Sequence, residues 1–308
     1  MAEVRRLAGR VDAEAHGDGP VVGRQREVPR QRFPGRDPGQ ATSSAPEAPK
    51  LFAIAWSATP GTRRSCPDPR VAAVEKVDYV IWRPPGSTRN GFADQLRGPV
   101  ADALLTAGAR GLQVNVADED VAGGIMKLVH TDPQMEAVLG VWVDSAAAAA
   151  RAPFDAAVAG AGWGAAYLVT ESEPLANAEP APLGSRTPGF ANLAFLRRPG
   201  ELDPVTWLSR WQDDHTAVAI ETQSTFRYVQ DVVVRPLTPG APPIDGIVEE
   251  CFPIEALGDL HAFFDAVGDD DRLSDHLGRM NESVARFGAD ESIDVVPTSE
   301  YVIRNPTR

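Results

Sequence analysis

The sequence predicts an α+β fold made of two tandem units, each with the element order β-α-β-β-α-β. Three observations predict it: a clear helix start at Asp203, apolar runs typical of strands on both sides of that helix, and a weaker upstream copy of the same pattern. This element order is that of the ferredoxin-like motif. With 43% hydrophobic residues among 308, the chain is long enough to bury a core in each unit.

The helix of the second unit carries the strongest local signal. Asp203 can accept hydrogen bonds from free backbone N–H groups, and Pro204, which has no N–H, suits the first helical position. We therefore expect a helix to begin at Asp203. Trp207, Trp211 and His215 then recur four residues apart, so their side chains share one helix face. The imidazole is the group on that face that titrates near neutral pH.

The other elements of the second unit follow from short apolar runs and from one helical pattern. Strands are predicted at residues 190–196, 226–234, 244–252 and 291–303, and a second helix at residues 255–267. The acidic runs at residues 118–120 and 269–271 are interpreted as solvated loop charges rather than as a metal site.

The upstream copy repeats this order with a weaker pattern. Residues 78–86 align with residues 192–200, and both segments end in Pro-Gly. Phe92, Leu96 and Val100 take the places of the two tryptophans and the histidine, so this copy lacks the histidine. Its remaining strands are predicted at residues 111–116, 135–143 and 163–170, and its second helix at residues 145–159.

Residues 1–50 differ from the rest of the chain in composition. They contain nine Lys and Arg, seven acidic residues and no apolar periodicity, which is typical of a disordered segment. We therefore predict a disordered tail at residues 1–50, a first, degenerate unit at residues 51–180 and a second unit at residues 188–303. The acidic residues of the tail argue against a secretory signal, so a cytoplasmic location is expected.

Charge and composition argue against three kinds of partner or site. The net charge of −13 repels phosphate backbones, so nucleic acid is not expected. No apolar run approaches the roughly 18 residues that a membrane span needs, and no membrane partner is expected. Cys66 and Cys251 have no metal-ligand spacing around them. We expect no metal site, and Cys251 is interpreted as a small buried hydrophobic residue.

The candidate site residues each have two interpretations. His215 is either a packed residue of the helix face or a general acid/base. Glu249 shares a strand face with Asp245, and a carboxylate on an otherwise apolar face needs a partner or acts in a pocket with a raised pKa. Trp207 and Trp211 are interpreted as core residues that can also form a cavity wall, because indoles offer flat faces to an aromatic ligand.

The second unit resembles the EthD-like domains of the dimeric α/β-barrel superfamily. The resemblance covers residues 189–303, about a third of the chain. It rests on Leu-Arg-Arg-Pro-Gly at residues 196–200, on the Trp-Trp-His helix, on Tyr228, and on Asp-Gly-Ile-Val-Glu at residues 245–249 before Phe252. In that superfamily two sheets pack face to face and enclose a cavity. The resemblance implies that the two halves of this chain form an intramolecular dimeric α/β barrel.

The resemblance also implies an activity. It suggests an enzyme without a tightly bound cofactor that acts on an apolar or aromatic small molecule, with oxidoreductase or monooxygenase-type chemistry. Together with the residue patterns it predicts His215 and Glu249 as catalytic residues, and as substrate-binding residues Trp207, Trp211, Tyr228 and Asp245. Lyase or cyclase chemistry on polyketide-like substrates, and a non-catalytic small-molecule-binding barrel, stay open as alternatives. We expect a monomer or a homodimer.

Overall fold

The computed structural model describes residues 74–306. Contacts along the chain separate residues 1–68 from residues 69–308, and every described residue belongs to the second of these units. The tail predicted at residues 1–50 lies outside the described residues.

Within residues 74–306, eight strands close into one antiparallel barrel. They are β1 (Glu75–Trp82), β2 (Gly111–Val116), β3 (Ala137–Val143), β4 (Trp163–Leu175), β5 (Phe190–Leu196), β6 (Arg227–Pro236), β7 (Gly246–Phe252) and β8 (Asp294–Arg304). Around the barrel the strands follow the order β1-β3-β2-β8-β5-β7-β6-β4, and β4 pairs with β1 to complete the ring. A mixed α/β fold with a barrel is therefore confirmed. The first four strands and the last four meet at two seams, β2–β8 and β4–β6.

The helices of the described range connect these strands. They are α1 (Arg89–Gln95, a π turn at Leu96–Val100, then Ala101–Thr106), α2 (Ala148–Ala159), α3 (Pro204–Leu208, a π turn at Ser209–His215, then Thr216–Thr222), α4 (Leu260–Phe263) and α5 (Asp270–Phe287). The Asp203 side chain accepts hydrogen bonds from the N–H groups of Val205 and Thr206, which confirms the predicted start of α3. None of the helices in residues 74–306 is both long and apolar enough to cross a membrane.

The second helix of the second half differs from the sequence prediction. Where a helix was expected at residues 255–267, the structure has a 3₁₀ turn at Ile254–Leu257 and the four-residue helix α4. The long helix α5 comes later, and Asp269 caps it by accepting a hydrogen bond from the Arg272 N–H (2.9 Å). Residues 269–271 are exposed, as expected of solvated charges, but they begin helix α5 rather than lie in a loop. Aspartates at this position satisfy free N–H groups and favour the helix dipole.

Each strand divides its side chains between the barrel interior and the layer under the helices. On β1, the Tyr79 hydroxyl points outward and donates to Asp155 of α2 (2.8 Å). Lys76 of the same strand points inward, and its ammonium donates to Asp231 of β6 (2.6 Å), past the intervening strand β4. Bonds between strands that are not neighbours have to cross the interior, so they identify the inward-facing positions.

Apolar side chains fill both outer layers and one end of the interior. The first outer cluster lies between α1, α2 and the barrel wall, and the second lies under α3 and α5. A third cluster occupies the interior and includes Val80, Val138, Leu193, Phe195, Ile247 and Val296. This cluster fills one end of the barrel interior. Polar side chains occupy the interior positions toward the other end.

The sequence alignment of residues 78–86 with residues 192–200 is shifted by one residue where it pairs β1 with β5. Asp78 points into the barrel together with Lys76, whereas its aligned residue Asn192 lies between Phe190 and Ala194, which face the outer cluster. A slip of one residue moves a side chain to the other face of a strand. The helices keep the aligned positions, since both α1 and α3 contain a π turn at corresponding places.

Candidate functional site

The polar part of the barrel interior holds more acidic than basic side chains. Its carboxylates are Asp78, Glu171, Glu173, Asp231, Glu249 and Glu300. Its cationic side chains are Lys76 and Arg227, and each of them contacts three of the six carboxylates. The interior therefore contains two ionic clusters, which we call the Lys76 cluster and the Arg227 cluster.

The Arg227 cluster joins strands that lie on different sides of the barrel. Arg227 Nη1 donates to Glu249 of β7 (2.6 Å) and to Glu300 of β8 (2.7 Å). Gln113 of β2 donates to the other oxygen of Glu249 (2.6 Å), and the Thr187 hydroxyl donates to Glu300 (2.8 Å). Three side chains from separate parts of the chain thus hold the two glutamates in fixed positions.

The two glutamates of this cluster differ in protonation. Burial raises the pKa of Glu249 to about 8, although the nearby Arg227 opposes this effect. Burial acts in the same direction on Glu300, but hydrogen bonding from Glu249 and the charge of Arg227 outweigh it and lower the pKa of Glu300. At neutral pH the pair therefore holds one proton, on Glu249, and Glu300 is ionised.

A cavity of about 210 Å³ opens onto the Arg227 cluster. The barrel side chains that line it are Gln113, Trp142, Glu171, Glu173, Arg227, Glu300 and Val302. Residues 176–187, between β4 and β5, and the C-terminal Asn305 and Pro306 complete its wall. Glu249 lies behind this lining and is joined to it through Gln113 and Arg227.

The Lys76 cluster lies beside this cavity. Lys76 Nζ is 2.6 Å from Asp231, 2.9 Å from Glu171 and 3.7 Å from Asp78, and it lies 4.9 Å from the centroid of the Trp142 ring. Burial raises the pKa of both aspartates despite the attraction of Lys76. A second, more open depression of about 470 Å³ reaches Lys76, and Trp142 and Glu171 border both spaces.

Within residues 74–306, one group of donor atoms is close enough together to hold a metal ion. It consists of Glu249, Cys251 and Glu300, whose donor atoms lie within 4.8 Å of one another. Arg227 already contacts both carboxylates, and the Cys251 thiol donates to Glu300 (3.2 Å). Burial raises the pKa of Cys251 further, which keeps it in the neutral form that ligates metals poorly. These contacts already occupy the donor atoms that a metal ion would need.

The predicted aromatic residues lie outside the barrel, in the layer under α3. The rings of Trp207 and Trp211 are 5.1 Å apart, and both pack onto the bare backbone of Gly246 at the start of β7. Tyr228 of β6 faces the same layer and is fully buried there. Neither indole N–H has a hydrogen-bond partner among the described residues. These residues form a packed outer core.

His215 also lies in this outer layer. Its Nδ1 is 3.0 Å from the Ser283 hydroxyl of α5, and its ring lies 4.8 Å from the ring of Phe287. Burial lowers the pKa of His215 to about 4. A neutral, packed imidazole with a serine partner fits the structural interpretation of this histidine better than an acid/base role.

The structure does not bring His215 and Glu249 into one pocket. Odd-numbered positions of β7, including Glu249, point into the barrel, whereas α3 covers the outer face of the same wall. Asp245 lies at the turn before β7, where it accepts a hydrogen bond from the Arg198 N–H (2.8 Å). Of the predicted site residues, Glu249 alone reaches the Arg227 cluster. The roles predicted for the others stay predictions.

Sequence reasoning did not single out Gln113, Trp142, Arg227 or Glu300. One signal was available: charged residues two positions apart within apolar strands, which alternation places on one face. Lys76 and Asp78 form such a pair on β1, and Glu171 and Glu173 form another on β4. A charged strand face inside a closed barrel has to be paired or functional.

Comparison with known proteins supports the resemblance in the second half. The family model of the EthD domain matches residues 199–276, which confirms the similarity to EthD domains there. An anthrone oxidase-like protein of known structure has a TM-score of 0.41 and 8% identity, covering 77% of this chain and 96% of its own. A proposed monooxygenase from Lactobacillus acidophilus NCFM has a TM-score of 0.36 and 11% identity, covering 75% and 95%. No curated protein matches the sequence.

Proposed function

We propose that this chain, whose residues 199–276 match the EthD domain, is a small-molecule enzyme with its active site in the polar barrel interior. The observation that carries the proposal is the pair formed by Glu249 and Glu300, two buried carboxyls that both accept from Arg227 Nη1 beside a cavity lined by Glu300. Burial raises the pKa of Glu249, while the pKa of Glu300 is lowered. Carboxyl pairs whose pKa values are separated by their surroundings can accept and return a proton near neutral pH.

The roles of the two glutamates follow from their positions. Glu300 lines the cavity and is ionised, so it takes a proton from the substrate. Glu249 lies behind it and acts as a positioning residue that donates a hydrogen bond to Glu300. Arg227 fixes both carboxyls and balances the charge that moves between them. His215 is assigned to packing of the outer layer.

The size and lining of the cavity limit the substrate. An apolar cavity of about 150 Å³ accepts benzene, and drug-sized ligands occupy about 300–1,000 Å³. A cavity of about 210 Å³ fits a molecule of one or two rings. Trp142 offers an aromatic face, while Gln113 and Arg227 offer hydrogen-bond donors. The substrate is therefore an aromatic molecule with polar substituents.

The reaction is of the oxidoreductase or monooxygenase type. Removal of a proton from an activated CH₂ group or a phenol leaves an electron-rich anion that dioxygen can oxidise. Conversion of one CH₂ to a carbonyl consumes one dioxygen and releases one water. The alternatives are lyase or cyclase chemistry, in which the same anion rearranges or eliminates without dioxygen, and a barrel that binds its ligand without converting it.

We also propose that the two halves are pseudo-equivalent ferredoxin-like units, within residues 51–180 and 188–303. Each half has the element order β-α-β-β-α-β, apart from the additional short helix α4. The strand orders β4-β1-β3-β2 and β8-β5-β7-β6 also correspond. The equivalent π turns in α1 and α3 support the same proposal. In this arrangement the first half supplies Gln113 and Trp142 to the site.

The function is tested by screening one- and two-ring aromatic compounds for thermal stabilisation of the full chain. Stabilising compounds are then incubated with the protein in the presence and absence of dioxygen, and products and dioxygen uptake are measured. We expect conversion that consumes dioxygen, and an approximately 10²–10⁴-fold loss of turnover in Glu300→Gln. Conversion without dioxygen supports the lyase or cyclase alternative, and tight binding without conversion supports the binding barrel.

A further inference from the structure

The charge of the interior indicates which substrates the site accepts, and this inference rests on the proposed function. Six carboxylates face two cationic side chains there. Arg227 is shared by Glu173, Glu249 and Glu300, so one positive charge faces three carboxyl groups. A buried excess of negative charge needs compensation by protons or by a bound cation.

Unpartnered oxygens in the Lys76 cluster are the second observation. Asp78 is 1% exposed, and neither of its carboxylate oxygens has a hydrogen-bond partner among the described residues. Asp231 is 4% exposed, and its Oδ1 also lacks a partner within that range. At 3.7 Å, the approach of Lys76 to Asp78 is too long for a hydrogen bond. When Asp78 is protonated, it can share a hydrogen bond with Asp231. When both are ionised, additional positive charge in the interior is what stabilises these oxygens.

Trp142 supplies a surface on which such a charge can bind. Its ring already lies 4.9 Å from the Lys76 ammonium and borders both spaces at the mouth of the interior. Glu171 borders the same two spaces, and Glu300 lines the cavity. A cation beside an indole gains from the ring quadrupole, especially where water is excluded.

We infer that the substrate is a small aromatic amine, bound as its ammonium form with its ring against Trp142 and its charge among Glu171, Glu173 and Glu300. All four of these side chains line the cavity. Neutral aromatic alcohols of the same shape bind more weakly, because they carry no positive charge for the carboxylates of the cavity to attract. Aromatic acids are excluded, because their carboxylate meets three others and the single charge of Arg227 does not balance them.

Binding of the ammonium is coupled to release of protons. Burial raises the pKa of Asp78, Asp231 and Glu249, so in the free protein these carboxyls keep their protons to a higher pH than exposed carboxyls do. A nearby positive charge favours their ionised forms, and linkage then requires protons to leave as the ligand binds. The other ionisable groups that face this set are Lys76 of β1, Glu171 and Glu173 of β4, Arg227 of β6, Cys251 of β7 and Glu300 of β8.

The test compares three one-ring probes of nearly equal shape on the full chain: benzylammonium, benzyl alcohol and benzoate. Calorimetry in two buffers that differ in ionisation enthalpy gives both affinity and proton release. We expect benzylammonium to bind about tenfold or more tighter than benzyl alcohol, with proton release, and no binding of benzoate. Equal affinity of the first two probes, preference for benzoate, or no binding of benzylammonium at millimolar concentration overturns the inference. None of these results bears on conversion by the Glu249 and Glu300 pair.

Two tryptophan variants locate the probe. Trp142→Leu should lose about tenfold or more in affinity for benzylammonium, because the cation–π contact is removed. Trp163 lies on the rim of β4, is 55% exposed and lines neither space, so Trp163→Leu is the matched control and should bind as the wild type does. Equal binding by both variants overturns the assigned position. If Trp142→Leu fails to fold, the comparison of the three probes on the wild type still tests the preference for an ammonium ligand.

Discussion

At the scale of single residues, the buried carboxyls of Glu249 and Glu300 predict how turnover depends on pH. In the mechanism we propose, the active form has Glu249 protonated and Glu300 ionised. Because burial raises the pKa of Glu249 to about 8, the proton is present below that pH and is lost above it. Turnover should therefore decline as the pH rises through about 8.

Glu249→Gln separates a positioning role from a catalytic one. The amide resembles the protonated carboxyl and does not titrate, so we expect turnover within about tenfold of the wild type. The decline above about pH 8 should disappear. A pH–rate profile of both proteins measures this. A variant as inactive as Glu300→Gln would show instead that Glu249 itself transfers the proton.

His215 leads to a prediction about stability. Burial lowers its pKa to about 4 in the folded protein, whereas in the unfolded chain it is about 6.5. Between these values the unfolded state binds a proton that the folded state does not, so stability is lost as the pH falls from about 6.5 to 4.

His215→Gln should flatten this dependence and lower the free energy of unfolding at pH 7 by about 1–3 kcal/mol, through lost packing on Phe287. Turnover should stay within a few-fold of the wild type. Denaturant unfolding at several pH values measures the first effect, and initial rates measure the second. Loss of turnover in a variant of unchanged stability would return His215 to the catalytic site.

At the scale of elements, β7 and α3 approach each other at a single glycine. A Cβ on Gly246 would lie 2.6 Å from the Trp211 ring, so the indole packs directly on the strand backbone. Gly246→Ala should destabilise the protein by about 1–3 kcal/mol, because the ring has to move. Gly258→Ala is the control, since a Cβ there meets nothing within 4 Å. Equal melting temperatures for the two variants would contradict the tight contact.

The sequence predicted those elements whose signals lie in neighbouring residues, and it missed features that depend on residues far apart in the chain. Strand β5 was predicted with its observed bounds, because the strand is itself an apolar run. The start of α3 was predicted correctly, because Asp203 and Pro204 form a capping pair at that position. Helix α5 was missed because its capping residue, Asp269, was read as loop charge. The site was largely missed for another reason. Gln113 and Glu249 meet only after barrel closure places β2 opposite β7, and no local pattern records that closure.

At the scale of the whole molecule, closure of the barrel makes the two halves depend on each other. Each half would expose two strand edges alone, and the seams β2–β8 and β4–β6 cover them. The barrel should therefore unfold in one transition. Tryptophan fluorescence, which reports on both halves, and far-ultraviolet circular dichroism should give coincident denaturant curves. Two separated transitions would show that the halves fold independently.

The central claim is that function lies inside the barrel and not in the aromatic layer under α3. The most direct measurement is an experimental structure of the protein with the aromatic compound that stabilises it most. We predict the ligand ring against Trp142, with its polar group at Glu300. A ligand bound instead beside Trp211 and His215, with the interior unchanged, would contradict the account.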